Sequence, residues 1–140
     1  TLSGPQGKVG YATDAMRFMG ATFDPSGLYR MRACLEWMAA HGLDAAKIHA
    51  HVIALQEIFL KGIAAEPIGL FEQSNLVVPA QEMSRGNFLT FEHPDAAAWQ
   101  ARLKQKNIVV DVRGSRLRVG FGLYHHAGDV ERLLERLREV

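Results

Sequence analysis

The residues best equipped for chemistry lie late in the chain, in Arg113-Gly-Ser-Arg-Leu-Arg-Val-Gly-Phe-Gly-Leu-Tyr-His125. Leu117, Val119 and Phe121 alternate with Arg118 and Gly120, the period of a strand with one buried face, so Arg118 points away from the apolar residues. A planar guanidinium followed at once by glycines, which let a ligand or another backbone come close, suits two-point capture of a carboxylate or phosphate. The plainer reading is an arginine on the solvent side of a small sheet, paired with a nearby Glu.

Other reactive residue types carry less. His49 and His51 stand two apart on a helical segment and face nearly opposite directions, so no metal site is expected there. Cys34 is the single cysteine, which removes any disulfide or thiolate-zinc framework; its apolar helical setting reads as a small core residue rather than a reactive thiol. Thr22 and Ser26 sit where a helix begins, and capping or turn bonding accounts for both.

With 48% hydrophobic and 22% charged residues the chain is composed like a soluble globular domain, and 140 residues suffice for one core. Its formal charge of +1 leaves no electrostatic footprint for nucleic acid. No apolar run is expected to be long enough to cross a bilayer, and no signal segment opens the chain, so a cytoplasmic location with no membrane partner is expected. The start at Thr1 rather than methionine fits a piece of something larger.

The elements that must position Arg118 read as follows. Residues 1 to 17 are irregular, rich in Gly, Ser, Pro and Gln. Leu28, Met31, Leu35 and Met38 recur at helical spacing from about Pro25 to Ala40, with Gly42 as the left-handed stop. A second helix opens at Asp44 and runs to about Ala65, with Ile48, Val52, Leu55, Ile58, Phe59 and Ile63 on one broad face. Short strands are expected at Leu76–Val78, Phe88–Glu92 and Ile108–Val110, and in the Arg118 segment, which should form a hairpin with the preceding strand through Gly114-Ser115. Ala96, Trp99 and Leu103 mark a third helix, and Val130, Leu133, Leu134, Leu137 and Val140 a fourth, with Asp129 near its start. Arg85-Gly86 reads as shaping a polar turn. The sum is an α+β fold (an α/β sandwich): two long helices, then a small, mainly antiparallel sheet with helices packed on one face.

Arg85-Gly-Asn-Phe-Leu-Thr-Phe91, Asn107-Ile-Val-Val-Asp-Val-Arg113, Leu117-Arg-Val-Gly-Phe-Gly-Leu-Tyr-His125 and the final Asp129-Val-Glu-Arg-Leu-Leu helix together resemble the C-terminal domain of kynureninase. They also resemble related class V aminotransferase-like enzymes of pyridoxal-phosphate fold type I. The resemblance runs from about residue 18 to 140 and implies a small C-terminal domain whose large cofactor-binding domain lies outside this chain. It implies pyridoxal 5'-phosphate in the parent, an amino-acid substrate held through its carboxylate by Arg118, and a homodimer in which Thr22, or else Ser26, reaches the cofactor phosphate of the partner subunit. Tyr124 and His125 would border the pocket or, more simply, anchor their loop.

The parent reaction is a kynureninase-like hydrolysis or a class V transferase or lyase reaction. Lys8, Lys47, Lys61, Lys104 and Lys106 lack the context of a Schiff-base lysine. The piece alone is therefore expected to be inactive and not to hold the cofactor stably. The alternative from another class is a non-catalytic module that binds a small acid or dimerises.

Overall fold

The computed structural model describes residues 10–18, 24–82 and 85–140, which divide into one compact unit ending at Gly42 and a second running Leu43–Val140. That division falls just after the first long helix.

That helix, α1 (Ser26–Ala40), begins where Asp24 accepts the Ser26 amide at 2.9 Å and the Ser26 hydroxyl at 2.8 Å. It ends at Gly42, whose φ of 66° suits a residue without Cβ. The expected burial of its apolar stripe is not found: Leu28, Met31 and Leu35 are exposed, and Met38 is only half-buried. Cys34 is exposed too, so the reading of it as a core residue is corrected. Among the described residues its unit has only a four-residue 3-10 turn besides α1, so nothing of comparable length is there to cover the stripe.

In the second unit, α2 (Ala45–Ala65) starts at Asp44, whose carboxylate accepts the Lys47 amide at 2.7 Å. Its 21 residues are long and apolar enough to pass as a membrane span, which amends the expectation that no such run exists. Here Val52, Leu55, Phe59, Leu60 and Ile63 are buried in the core of the unit.

The sheet is antiparallel with order β1-β3-β2, from β1 (Phe88–Glu92), β2 (Asp111–Arg113) and β3 (Arg116–Gly120). Leu89, Phe91, Leu117 and Val119 face the core, where they join residues of α2, α3 (Ala96–Gln105) and α4 (Ala127–Leu137). The α+β architecture with helices on one face is therefore as expected. Phe59, Phe71 and Phe91 lie in mutual edge-to-face contact at 5.3–6.3 Å, locking α2 to the sheet.

Two expected strands are displaced. Leu76 makes one isolated bridge to Phe91, and the Val77 amide reaches the Thr90 carbonyl at 2.9 Å; Pro79 then lacks a donor to extend the ladder. Ile108–Val110 is not a strand, and β2 begins at Asp111 instead. The cause is the end of α3: Asn107 adopts φ 55°, its amide reaches Lys104 and the Ile108 amide reaches Leu103, which ties Ile108 into the helix terminus. The Val110 carbonyl is taken by the Gln100 side chain at 3.0 Å.

At the start of α4, Asp129 accepts the His126 amide at 3.0 Å. That bond holds its carboxyl below the ordinary value, desolvation opposes it, and the neighbouring His126 and Arg132 add to the lowering. A depressed folded-state value contributes stability above the unfolded value, and the contribution vanishes as pH falls through the folded one. Thermal unfolding should therefore show Asp129→Asn less stable than the parent near neutrality, with the gap closing below the ordinary carboxylate range. A gap that persists at acid pH would mean that the charge is immaterial.

Candidate functional site on the open face of the sheet

Strand alternation leaves Phe88, Thr90 and Glu92 of β1, Asp111 and Arg113 of β2, and Arg116 and Arg118 of β3 on the face opposite the core packed by α2, α3 and α4. Arg118 occupies the central strand, opposite Thr90 on one side and Asp111 on the other. The guanidinium is neither buried nor loose, with its side chain 29% exposed.

Its Nε donates to Asp111 Oδ2 at 2.7 Å, and Nη2 donates to the same oxygen. The Phe88 ring lies 5.1 Å from its central carbon, within cation–π range. Gly120, directly opposite Phe88, adds no side chain to this corner. Among the described residues Nη1 has no hydrogen-bond partner. The expected alternation is thus correct, and the acid that pairs with Arg118 is Asp111 rather than a Glu.

Arg113 stands 3.5 Å from the same Asp111 oxygen, while Arg116 stands 3.7 Å from Glu92, which also accepts from Ser115. The face thus sets three guanidiniums against two carboxylates and keeps an excess of positive charge. The Asp111 carboxyl is held below its ordinary value, chiefly by the Arg118 hydrogen bond; desolvation opposes this, and the charges of Arg118 and Arg113 add to the lowering.

The rim of this face is built by groups that the sequence leaves inconspicuous. Arg85 is 3% exposed and donates from Nε to Gln56 at 2.8 Å, from Nη1 to the Ala80 and Glu82 carbonyls at 2.6 and 3.1 Å, and from Nη2 to Glu57. Gln56 passes the chain of bonds on to the Gly86 carbonyl at 2.8 Å. Arg85 therefore shapes the turn that leads into Phe88, as expected. The available signal was Gln56, a polar residue inside the apolar stripe of α2.

His49 meets Asn87 at 2.7 Å, and His51 reaches the His125 carbonyl at 2.9 Å, so the two diverge to different partners. No cluster among the described residues could hold a metal. His125 Nδ1 accepts the Gly122 amide at 2.9 Å, so the ring closes its own loop. Tyr124 is exposed, with its ring against His125.

Thr22 lies outside the described residues. Ser26 lies in the first unit and gives its hydroxyl to Asp24. Lys47, Lys61, Lys104 and Lys106 are all exposed, and a Schiff base on any of them would stand open to water.

No curated protein matches the chain. A family model, the kynureninase C-terminal domain, matches residues 48–137, from the first turn of α2 to the end of α4. With that match spanning the sheet and all three helices that cover it, the chain belongs to the kynureninase C-terminal domain family, the C-terminal part of enzymes that work with pyridoxal phosphate.

Proposed function

We propose that this domain contributes the carboxylate-binding arginine, Arg118, to an amino-acid site closed by a larger companion domain that carries pyridoxal phosphate. The observation that carries the reading is a guanidinium on the face of the sheet opposite the core, braced by Asp111 and Phe88, with its Nη1 end unengaged among the described residues. Two parallel N–H donors at that end match the two oxygens of a carboxylate. Holding the substrate there fixes the direction of its α-carbon bonds relative to the cofactor.

Pyridoxal phosphate, when bound, withdraws electrons from the substrate's α-carbon. Arg118 binds and orients, and Phe88 keeps water from one side of the guanidinium. The family match favours hydrolytic carbon–carbon cleavage of the kynureninase kind over transamination. We assign the parent a homodimeric state and a cytoplasmic location, with Thr22 or Ser26 reaching the partner subunit's cofactor phosphate; Ser26 would first have to release Asp24. Without its companion domain the piece is inactive.

The test is Arg118→Lys in the protein carrying both domains. A charge-assisted two-point contact replaced by a point charge should weaken amino-acid binding roughly ten- to hundredfold, with cofactor content by visible absorbance unchanged. Unchanged amino-acid affinity removes Arg118 from the site.

A further inference from the structure

The Arg118 guanidinium has two edges able to make a two-point contact, and they are treated differently. The Nε–Nη2 edge is spent on a single oxygen of Asp111, while the Nη1–Nη2 end has no partner on Nη1 among the described residues. Phe88 lies against the guanidinium, which restricts rotation out of its plane. Asp111 also has Arg113 at 3.5 Å, a second cation on its own strand that favours its staying in place.

Resting on the carboxylate-binding reading, we infer that Asp111 is a positioning residue for ligand recognition: it seizes one edge of Arg118 so that the other edge is presented to the ligand carboxylate. An arginine side chain has several rotatable bonds, and its ordering would otherwise be charged against binding. Asp111 bears that ordering before the ligand arrives. It does so as a cross-strand partner of Arg118, which places the carboxylate beside the guanidinium on the same face.

The opposing effect is repulsion between the Asp111 carboxylate and the ligand's. It is weak for two reasons. The Asp111 side chain is 51% exposed, so water screens it. Two guanidiniums also neutralise it from either side. Orientation therefore wins, and loss of Asp111 weakens binding rather than strengthening it.

The experiment measures dissociation constants in the cofactor-loaded, two-domain protein for an amino-acid ligand and for the corresponding amine lacking the carboxylate. Asp111→Ala should weaken the amino acid about three- to tenfold and leave the amine unchanged, since one immobilised long side chain is at stake. In an Arg118→Ala background the same change should have no further effect. Asp111→Asn, which keeps an acceptor oxygen, should recover part of the loss.

Equal loss for the amine, or a loss that persists in the Arg118→Ala background, overturns the inference while leaving the role of Arg118 standing. An Arg118→Ala protein that binds the amino acid normally overturns the underlying reading instead. Should Asp111→Ala fail to fold, Asp111→Ser carries the same comparison.

Discussion

Replacing Arg85 with methionine is expected to destabilise the domain by about 3 kcal/mol, because it removes one member of a buried polar network and leaves the others unpaired. Arg85 is 3% exposed and Gln56 is fully buried, so the Gln56 oxygen does not gain water easily when the guanidinium goes. Glu57 loses its closest cation, but its side chain is 44% exposed and water compensates in part, which is why the estimate sits at the low end for a broken pair.

Chemical denaturation against Arg85→Lys separates the causes. Lysine keeps the charge but cannot distribute donors among four acceptors, and should restore less than half of the loss. Full recovery with lysine would show that charge, not the fork, holds the turn. Because this turn delivers Phe88 to its place beside Arg118, the damage should extend to the open face.

Gly69→Ala should cost about 2–4 kcal/mol, the sum of left-handed strain and forced displacement of an indole. Gly69 has φ +56°, and a Cβ built there would lie 1.9 Å from Trp99. The position is closed on both sides: Ile68 and Phe71 bridge around it through amide–carbonyl bonds of 2.9 and 3.2 Å. Trp99 is packed by Phe71 at 5.8 Å and by the Arg102 guanidinium 4.1 Å from its ring, contacts that a retreat would disturb.

Trp99→Leu should lower stability alone yet reduce the added cost of Gly69→Ala, because the steric part of that cost disappears. A double-mutant cycle by urea denaturation reads this directly. Strictly additive losses would mean that the backbone strain alone accounts for Gly69.

These two sites also mark where the sequence ran out. Nothing in the chain near Gly69 announces that an indole thirty residues later will rest on its α-carbon. Arg85 and Gln56 lie 29 residues apart, and their pairing exists only once the turn before β1 is laid on α2. The exposed stripe of α1 teaches the converse. Apolar spacing specified a helix, and specified it correctly, but periodicity carries no information about whether a surface is available to receive it.

What the sequence by itself determined was whatever a few consecutive residues decide through backbone geometry. The two-residue period of β3 turned Arg118 away from Leu117 and Val119, Asp44 capped α2, and Gly42 ended α1. What only the tertiary structure decided was the company that Arg118 keeps. Its partner Asp111 stands opposite it across the Gly114-Ser115 turn, and Asp111 is where that strand begins because Asn107 and Ile108 close α3 before the chain can enter the sheet. Phe88 arrives from a strand about thirty residues earlier. Local torsional preferences act within a turn or two of chain, whereas strand register and cross-strand neighbours depend on which remote segments pack together, and that is an outcome of the whole fold.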